Sequence, residues 1–478
     1  MSEKLHNIRI PKKQIRNLEK IDRKKLQLLR QEELCDVSGA GSIKIFLYKD
    51  DQEKIYIERI IERNHVRNIV DQYEQINDQG TITITPLTID IGNIVLDRFL
   101  ENKSSYNSYF VFGEFKSKEL NWVKSSQEHK FTSTGIKFWR HEKQMFEYKR
   151  QTGGLPRNSV VTTHISPEGA CNLKCPYCSV TYRDTHSRIA LSKIKQYVTD
   201  LKSRGLKAVI LTGGGEPTLY PQFNELVQWI KNDQNLSVAL ITNGTTGSKI
   251  KDETLACFSW VRVSINIFPG WQDLISLKKE ALSENCIVGC SMVYTVEHEA
   301  RDIIQNDRLE AFKAVSKIAD KIGAKYIRLL PNCLLEQDKL LLEHNNLQKF
   351  VEQLKDERFF QQYKVHGTPS CSTCHQSYFR PYLSEEPFGE TGEPGTIYPC
   401  DSVVLNDSAT HFAKKYQLCK PENVLDYIDG KIQAKFDPRI DCTGCVFTDN
   451  VNMLDKWINN DINRFDEFKE TLTHEEFV

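Results

Sequence analysis

The sequence predicts an α/β protein whose central part is an incomplete parallel barrel. Apolar segments that we interpret as six strands recur between about residues 160 and 330, with helical patterns between several of them: VVTTHIS, AVILTGG, VALITNG, WVRVSIN, CIVGCSMVYT and YIRLLPN. Strands that are apolar along their whole length are typical of a parallel sheet covered by helices. Because a closed barrel of this type needs about eight units, we predict a partial (β/α)6 TIM-like barrel.

The helices between these strands show one apolar face. After the second strand, apolar residues fall at i, i+3, i+4 and i+7, the spacing of a helix packed on a sheet: Phe223, Leu226, Val227 and Ile230. Ile194, Val198 and Leu201 repeat the pattern one unit earlier, and Gly205 follows where a C-terminal cap is expected. In folds of this kind the chemistry gathers at the carboxyl ends of the strands.

A chain of 478 residues is too long for one ordinary core, and composition predicts four segments. Residues 1–155 form an α+β domain with strands SIKIFLYKD, TITITPLTID and SYFVFGEF and a helix near 58–75. The loop QTGGLPRNS leads into the barrel, 156–365. A small cysteine-rich domain, 366–450, and a helical tail, 451–478, complete the chain.

Charge and hydropathy exclude several classes of protein. The 64 basic and 64 acidic residues cancel, so no overall field attracts nucleic acid or an anionic membrane. The sequence contains neither a signal-peptide pattern nor an apolar run of about 20 residues, so we expect a cytoplasmic protein that does not enter membranes. In that compartment 14 cysteines indicate metal or redox chemistry rather than disulfides.

Three cysteines follow the first barrel strand in the segment CNLKCPYCS: Cys171, Cys175 and Cys178. Three thiolates this close in sequence can bind three irons of a cubane and leave the fourth iron open, because no fourth cysteine stands nearby. The alternative is zinc, which in a structural site takes a fourth protein ligand and more widely separated cysteine pairs.

The Cys-x-x-x-Cys-x-x-Cys spacing, with aromatic Tyr177 before the last cysteine, resembles the signature of the radical S-adenosylmethionine (SAM) superfamily. The second strand ends in LTGGGEPTLYP, which resembles the Gly-Gly-Glu motif of that family. The resemblance implies that Gly214 and Gly215 let backbone carbonyls approach the amino group of SAM, with Glu216 as a further acceptor. The alternative for this segment is a tight strand-to-helix turn.

Polar residues end the next two barrel strands. Asn243 ends the third strand, and Ser264 and Asn266 end the fourth. The resemblance implies contacts from such residues to the carboxylate and ribose of SAM, although the family often has Asp where Asn266 stands. Ordinary capping of strand ends is the alternative.

The resemblance also implies a reaction. An external donor, such as a flavodoxin- or ferredoxin-like protein, supplies one electron to a [4Fe-4S] cluster, and SAM is cleaved to methionine and a 5′-deoxyadenosyl radical that abstracts hydrogen from the substrate. The protein positions the substrate and excludes water. The sequence identifies no catalytic residue beyond the cluster ligands.

A second group of cysteines follows the barrel. The pattern of a cysteine, a Gly-x-x-x-x-Cys hairpin and a Cys-x-x-Cys pair resembles the auxiliary-cluster region called SPASM, or its shorter twitch form. The corresponding residues are Cys374, Gly395 with Cys400, and Cys442 with Cys445, and Cys371 competes with Cys374. This number of cysteines favours one auxiliary [4Fe-4S] cluster, with zinc as the alternative.

A fully ligated auxiliary cluster suits electron transfer from a substrate radical, which makes the overall reaction an oxidation. The remaining cysteines are interpreted as buried apolar residues or spare thiols: Cys35, Cys257, Cys286, Cys290, Cys333 and Cys419.

The auxiliary region implies a peptide or protein substrate, which residues 1–155 would capture. Three alternatives stay open: oxidation of a small molecule such as a sugar alcohol, modification of nucleic acid, and a non-catalytic iron-sulfur sensor or binding protein. Nucleic acid is suggested by ten Lys/Arg against three Asp/Glu in residues 1–30, interpreted as a basic helix, and by Arg183, Arg188 and Lys193. It is not favoured, because such charge runs are more often solvated helix faces.

Overall fold

The chain divides into two compact units, Met1–Lys124 with Asp466–Lys469 and Ser125–Phe465 with Glu470–Val478. The computed structural model describes residues 27–35, 42–49, 55–61, 85–86, 135–150, 154–175, 177–181, 183–265, 275–294, 308–335, 339–340, 356–362, 364, 366–389, 392–406, 412–460 and 473–478. No helix in these ranges combines the length and the apolar character that crossing a membrane requires.

The described part of the first unit is an antiparallel sheet of four strands in chain order, β1 to β4. Its strands are β1 (Gln27–Cys35), β2 (Ser42–Lys49), β3 (Ile55–Ile61) and β4 (Thr85–Pro86). The strand predicted at SIKIFLYKD is confirmed by β2. The helix predicted near 58–75 is wrong where it overlaps β3, and the basic helix predicted for 1–30 is wrong where it overlaps β1. The other residues of both helices, and the predicted strand SYFVFGEF, lie outside the described residues.

The second unit is built on a nine-stranded sheet. Its strands are β5 (Thr162–Ile165), β6 (Ala208–Leu211), β7 (Ser237–Thr242), β8 (Phe258–Ile265), β9 (Ile287–Tyr294), β10 (Tyr326–Pro331), β11 (Phe359–Gln361), β12 (Tyr382–Pro387) and β13 (Pro394–Tyr398). Their order in the sheet is β11-β10-β9-β8-β7-β6-β5-β12-β13.

The six predicted barrel strands, β5 to β10, are confirmed, and they pair in parallel with their neighbours in the chain. This sequential order is the topology of a TIM-type barrel. The barrel is incomplete because β11 extends one edge in parallel, while β12 pairs in parallel with β5 and carries antiparallel β13 at the other edge. The carboxyl ends of all six barrel strands therefore lie at the same edge of the sheet.

Helices lie between most of these strands. Those of the second unit are α1 (Gly135–Phe138), α2 (Glu142–Arg150), α3 (Leu191–Lys202), α4 (Phe223–Gln228), α5 (Asp252–Leu255), α6 (Arg308–Ile322), α7 (Phe412–Tyr416), α8 (Val424–Ile428), α9 (Pro438–Asp441) and α10 (Thr448–Asn460). The predicted apolar face of α3 is confirmed, since Ile194, Val198 and Leu201 are completely buried. The helix predicted through Ile230 begins as α4 and continues as a π-helical turn, Trp229–Asp233.

Residues 473–478 cover the amino-terminal end of the barrel. Phe477 is buried against Trp260, with ring centroids 5.4 Å apart, in a cluster with Ala208, Ile210 and Ala239. The Val478 N–H donates to Thr162 Oγ1 at 3.0 Å, and Lys137 Nζ donates to the Phe477 carbonyl at 3.2 Å. Because Thr162 and Ala208 are the first residues of β5 and β6, this segment forms the floor of the barrel.

Candidate functional site

The three predicted cluster cysteines lie in one loop between β5 and α3, at the carboxyl end of the barrel. We call residues 166–190 the cysteine loop. Its two ends are joined where Glu168, which is buried, accepts from Arg188 Nε at 2.6 Å, and where the Gly169 N–H donates to the Ser187 carbonyl at 2.8 Å. The loop is therefore closed at its base, and Cys171, Cys175 and Cys178 project from a fixed frame.

The three thiols are half-buried and close enough to influence one another. Burial, followed by the charges of Cys178 and Cys171, raises the pKa of Cys175 to about 11. Burial also raises the pKa of Cys171. The Tyr177 hydroxyl lies within hydrogen-bonding reach of Cys175, so the predicted aromatic residue contacts a thiol directly.

Arg183 supports the cysteine loop from within. Its Nε donates to the Gly169 carbonyl at 2.8 Å, and its Nη1 donates to the Val180 carbonyl at 2.8 Å and reaches Cys178 Sγ at 3.6 Å. These contacts place the Arg183 guanidinium group beside the Cys178 sulfur. The sequence suggested Arg183 only as a basic residue, whereas its contacts assign it to the cysteine loop.

The glycine-rich turn after β6 packs directly on the cysteine loop. The Gly215 N–H donates to the Glu168 carbonyl at 3.0 Å, and the Glu216 N–H donates to the Ala170 carbonyl at 2.8 Å, one residue before Cys171. A Cβ at Gly215 would lie 2.2 Å from the Ala170 oxygen. Gly215 therefore allows the two segments to meet, and the structure brings both sequence motifs together.

Gly214 makes a different close approach. Its N–H donates to Ser166 Oγ at 2.7 Å, and a Cβ there would lie 1.9 Å from Oε1 of Glu385 on β12. Burial raises the pKa of Glu385 to about 7, although hydrogen bonds from Ser166 and Ser384 oppose the shift. The side of the turn away from the cysteine loop is thus closed by a buried carboxyl group that the sequence did not indicate.

Glu216 links the ends of β6 and β7. Its Oε1 accepts from Thr218 Oγ1 at 2.5 Å and from Thr242 Oγ1 at 2.6 Å, and its Oε2 accepts from the Asn243 N–H at 2.8 Å. Burial raises the pKa of this carboxyl group, and the hydrogen bonds oppose the shift. Its described contacts are all with the protein, so the acceptor role toward SAM that the resemblance implied stays a prediction.

Asn243 connects the third barrel strand to the cysteine loop. Its Nδ2 donates to Asn172 Oδ1 at 2.9 Å, and Asn172 Nδ2 donates to Thr245 Oγ1 at 2.7 Å. Ser264 is half-buried near the end of β8, beside Ser291 in the strand register. Asn266 lies outside the described residues. Asn172 and Thr245 were missed from sequence because isolated polar residues in loops carry no periodic pattern.

The second group of cysteines lines one pocket. Its walls include Cys374, Cys400, Cys442 and Cys445, together with apolar residues such as Phe436 and Phe447. Burial raises the pKa of Cys442, with further contributions from the charges of Cys374, Cys445 and Cys400. Cys371 is not among the residues that line this pocket, and its thiol donates to the Thr373 carbonyl at 3.2 Å. Cys374 therefore shares the pocket with the other three, whereas Cys371 lies close enough to Cys374 and Cys445 to influence them without lining it.

Two glycines and one hydrogen bond shape the backbone around this pocket. The predicted hairpin is present as β12 and β13, and Gly395 in β13 has φ of 116°, a conformation that favours glycine. Gly444 packs so closely on the 403–405 turn that a Cβ would lie 2.2 Å from the Leu405 oxygen. Next to Cys400, Asp401 accepts from His164 of β5 at 3.1 Å, which joins this region to the barrel.

Both donor sets fit iron-sulfur clusters. Three adjacent thiols that lack a fourth cysteine in their loop match a cubane with one open iron, and four thiols around one apolar pocket match a fully ligated cubane. Within the described ranges, no three or more His, Cys, Asp or Glu side chains are arranged to hold a single metal ion.

The basic residues that suggested nucleic acid are engaged with the protein itself. Arg188 pairs with Glu168 at 2.6 Å, and Lys193 pairs with Glu393 at 2.5 Å. Arg183 donates to two backbone carbonyls of the cysteine loop. These contacts favour structural roles for the three side chains.

Comparison with known proteins identifies the segment that carries the first cysteine group. Residues 165–269 match the model of the Radical SAM superfamily. The chain is 35% identical over 85 residues to an S-adenosylmethionine-dependent nucleotide dehydratase of Selenomonas ruminantium, which covers 18% of this chain and 30% of the relative. It is 38% identical over 76 residues to a 7-carboxy-7-deazaguanine synthase of Haemophilus influenzae, which covers 16% and 33%. The chain thus spans about a third of the length of these curated relatives.

Solved structures that align with this chain include Streptococcus suis SuiB bound to S-adenosylmethionine, with 13% identity, 95% of this chain and 91% of that chain covered, and a TM-score of 0.39. Another is anSMEcpe with bound AdoMet and the Cp18Cys peptide, with 16% identity, 61% and 87% covered, and a TM-score of 0.38. The match of the family model begins at Ile165, the last residue of β5, and covers the cysteine loop, the glycine turn and β6 to β8. The part of this chain that is similar to the Radical SAM superfamily is therefore residues 165–269.

Proposed function

We propose that this protein is a radical SAM enzyme that abstracts hydrogen from a peptide or protein and so oxidises it. The observation that carries the proposal is the junction between the cysteine loop and the glycine turn, where Glu216 N–H donates to Ala170 beside Cys171. When bound, a cubane held by Cys171, Cys175 and Cys178 supplies the electron that cleaves SAM to methionine and a 5′-deoxyadenosyl radical.

The residues of the chain prepare the site for this reaction. Tyr177 and Arg183 hold the thiols in place, and Gly214 and Gly215 bring backbone to the position proposed for the methionine end of SAM. Asn243, Ser264 and Asn266 are proposed contacts for its carboxylate and ribose. Glu216 fixes the spacing between the ends of β6 and β7, which keeps these groups in register.

We further propose that Cys374, Cys400, Cys442 and Cys445 hold one auxiliary [4Fe-4S] cluster. The pocket that the four thiols share supports this assignment, and apolar residues such as Phe436 and Phe447 form part of its wall. A cluster held by these four cysteines would provide a place for the electron that a substrate radical gives up when it is oxidised. The likeness of this cysteine pattern to SPASM regions supports a peptide or protein substrate.

A second candidate is a small phosphorylated molecule. The name of one matched relative, a nucleotide dehydratase, favours it, as does Arg262, a buried arginine of β8. Identification of the substrate class separates the two candidates, because a peptide modification appears as a mass change in the peptide.

Anaerobic reconstitution followed by iron and sulfide analysis tests the proposal. We expect about eight irons per chain for two cubanes and about four after Cys171→Ala. Incubation with dithionite and SAM should then form 5′-deoxyadenosine in the wild-type protein and none in Cys171→Ala. Cys257→Ala, which changes a buried thiol outside both groups, is the matched control and should retain both properties. Absence of 5′-deoxyadenosine from the fully reconstituted wild type would contradict the proposal.

A further inference from the structure

The pocket that the second group of cysteines lines also contains an amide side chain, that of Gln376. Gln376 lines this pocket together with Cys374, Cys400, Cys442 and Cys445. Its side chain is almost completely buried, with 1% of the residue exposed. Within the part of the chain that the structure describes, neither its Nε2 nor its Oε1 has a hydrogen-bond partner. A buried, unpartnered amide thus stands at the wall of the pocket that four thiols share.

Such an amide is costly to bury. Both of its polar atoms lose their hydrogen bonds to water when the chain folds, and they regain none from the described residues. Most buried polar groups in proteins have a partner, so a group that lacks one indicates a bound species or a redox role. Because Gln376 lines the same pocket as four sulfurs, a species held by those sulfurs is the partner that its position favours.

Backbone hydrogen bonds fix the position of Gln376. It lies in the turn His375–Tyr378, two residues after Cys374. Its carbonyl accepts from the Phe379 N–H at 3.0 Å and from the Arg380 N–H at 2.9 Å. These bonds hold the backbone from which the side chain reaches the pocket. Gln376 is therefore carried by the turn that directly follows a proposed cluster ligand.

Asn406 also lines the pocket, but its amide is engaged with the protein. Its Oδ1 accepts from the Gly444 N–H at 3.0 Å, and its Nδ2 donates to the Val403 carbonyl at 3.2 Å. Asn406 thus serves the backbone that shapes the pocket. The amide of Gln376 differs, because its hydrogen-bonding groups are left for the contents of the pocket.

The chemistry of the sulfurs selects one end of this amide. Sulfurs that bind iron carry negative charge and no proton, so they accept hydrogen bonds, and the Nε2 end of a glutamine side chain is the end that donates. Hydrogen bonds to the sulfurs are among the factors that set the reduction potential of a cluster. A donor stabilises the reduced state more than the oxidised state, because the sulfurs carry more negative charge after reduction. It therefore raises the reduction potential.

We propose that Gln376 donates a hydrogen bond from Nε2 to a sulfur of the auxiliary cluster and thereby raises the reduction potential of that cluster. The inference rests on the proposed function in one respect, that Cys374, Cys400, Cys442 and Cys445 hold a [4Fe-4S] cluster. A higher potential suits the proposed oxidation, because it favours transfer of the electron that the substrate gives up. Gln376 acts on the cluster and not on the substrate.

Redox titration of the full-length reconstituted protein, followed by electron paramagnetic resonance, measures this effect. Cys171→Ala removes the first cluster, so the auxiliary cluster is observed alone. At a fixed solution potential, adding Gln376→Leu to Cys171→Ala should lower the ratio of reduced to oxidised cluster by a factor of about three or more. Gln144→Leu is the matched control, because it makes the same change at a buried position that does not line the pocket, and it should leave the ratio unchanged.

Pulsed electron paramagnetic resonance provides a second readout, which a change in packing alone would not move. A hydrogen bond from Nε2 places the amide nitrogen beside a cluster sulfur. In protein labelled with ¹⁵N in the glutamine side chains, we expect a nitrogen coupling to the reduced cluster of Cys171→Ala. The coupling should disappear when Gln376→Leu is added and remain when Gln144→Leu is added.

Two results would overturn the proposal: an equal ratio of reduced to oxidised cluster with and without Gln376→Leu, or a nitrogen coupling that persists in that variant. If Gln376→Leu fails to fold or to bind iron, Gln376→Met takes its place in both measurements, since it keeps the length of the side chain and removes the donor.

Iron analysis separates failure of this inference from failure of the proposed function. About four irons per chain in Cys171→Ala show that the auxiliary cluster is present. An unchanged ratio in that protein would then contradict only the role of Gln376. Absence of bound iron from Cys171→Ala would contradict the auxiliary cluster and the role of Gln376 together.

Discussion

Asn243 donates a hydrogen bond from Nδ2 to Oδ1 of Asn172 at 2.9 Å, which joins the end of β7 to the loop that carries the three cysteines. Asn172 in turn donates to Thr245 at 2.7 Å, so the junction has two bonds. The cysteine loop is thus held at its base by Glu168 and at its tip by Asn172. Cluster ligands that sit in a long loop need both restraints to keep three sulfurs in one arrangement.

We predict that Asn172→Ala loosens this loop without unfolding the barrel. Each lost hydrogen bond contributes about 1 kcal/mol or less at an exposed position. Hydrogen exchange measured by mass spectrometry should become faster in residues 170–181, while the melting temperature changes by no more than a few degrees. Asn224→Ala removes a comparable contact on another loop and should leave exchange in 170–181 unchanged. Unchanged exchange in Asn172→Ala would contradict the prediction.

Gly215→Ala should prevent Cys171, Cys175 and Cys178 from binding their proposed cluster. Its Cβ would meet the carbonyl oxygens of Ala170 and Glu168 at 2.2 and 2.5 Å, and backbone atoms cannot move aside as a side chain can. We expect iron content after reconstitution to fall from about eight to about four per chain. The control is Gly389→Ala, where a Cβ meets no atom within 4 Å and only a positive φ is affected. Full iron loading of Gly215→Ala would show that the close contact is not needed.

Glu385 should make stability depend on pH. Its pKa is about 7 in the folded protein because of burial, and about 4.3 in the unfolded chain. Between these values the folded state retains a proton that the unfolded state has lost, so stability is greatest below about pH 4.3 and falls as pH rises to about 7. Glu385→Gln removes this dependence.

Chemical denaturation at pH 5 and pH 8 measures the effect of Glu385. The stability of Glu385→Gln relative to wild type should rise by about 2 to 3 kcal/mol between the two pH values. Glu225→Gln, at a position that is 58% exposed, is the control and should show a difference close to zero. A constant difference between Glu385→Gln and wild type across this range is the result that would rule the effect out.

Cys374→Ala and Cys371→Ala should differ in the iron content of the reconstituted protein. Cys374 lines the pocket with the other three cysteines, whereas Cys371 does not. We expect Cys374→Ala to lower iron content to about four per chain and Cys371→Ala to retain about eight. Iron and sulfide analysis with electron paramagnetic resonance of the reduced proteins checks this. The opposite pattern would assign Cys371 as the ligand.

The strands of the barrel could be predicted because each is a continuous apolar run bounded by polar residues or glycine. The secondary structure of the segment IYIERIIERN was harder to predict, because its apolar residues fit both a helix and a strand. Pairing with β2 makes Ile55–Ile61 the strand β3. Spacing alone could not choose between Cys371 and Cys374. That choice depends on how residues 370–380 turn relative to the hairpin of β12 and β13, which is a property of tertiary packing.

The cysteine and glycine motifs located the first site correctly, but they did not indicate what holds it together. Glu385 closes the glycine turn from a strand about 170 residues later in the chain, a separation that no local pattern reports. The sequence also did not single out Arg262 and Arg328, because each appears as one charged residue within an apolar strand. Only the register of β8, β9 and β10 brings them together.

Residues 473–478 close the amino-terminal end of the barrel, so its two ends differ. Phe477 packs on Trp260 at the amino-terminal end of the strands, and the buried Lys137 side chain donates to the Phe477 carbonyl. The cysteine loop and the glycine turn stand at the opposite, carboxyl-terminal end of the strands. A short-lived radical formed there in the proposed reaction would therefore have packed protein behind it.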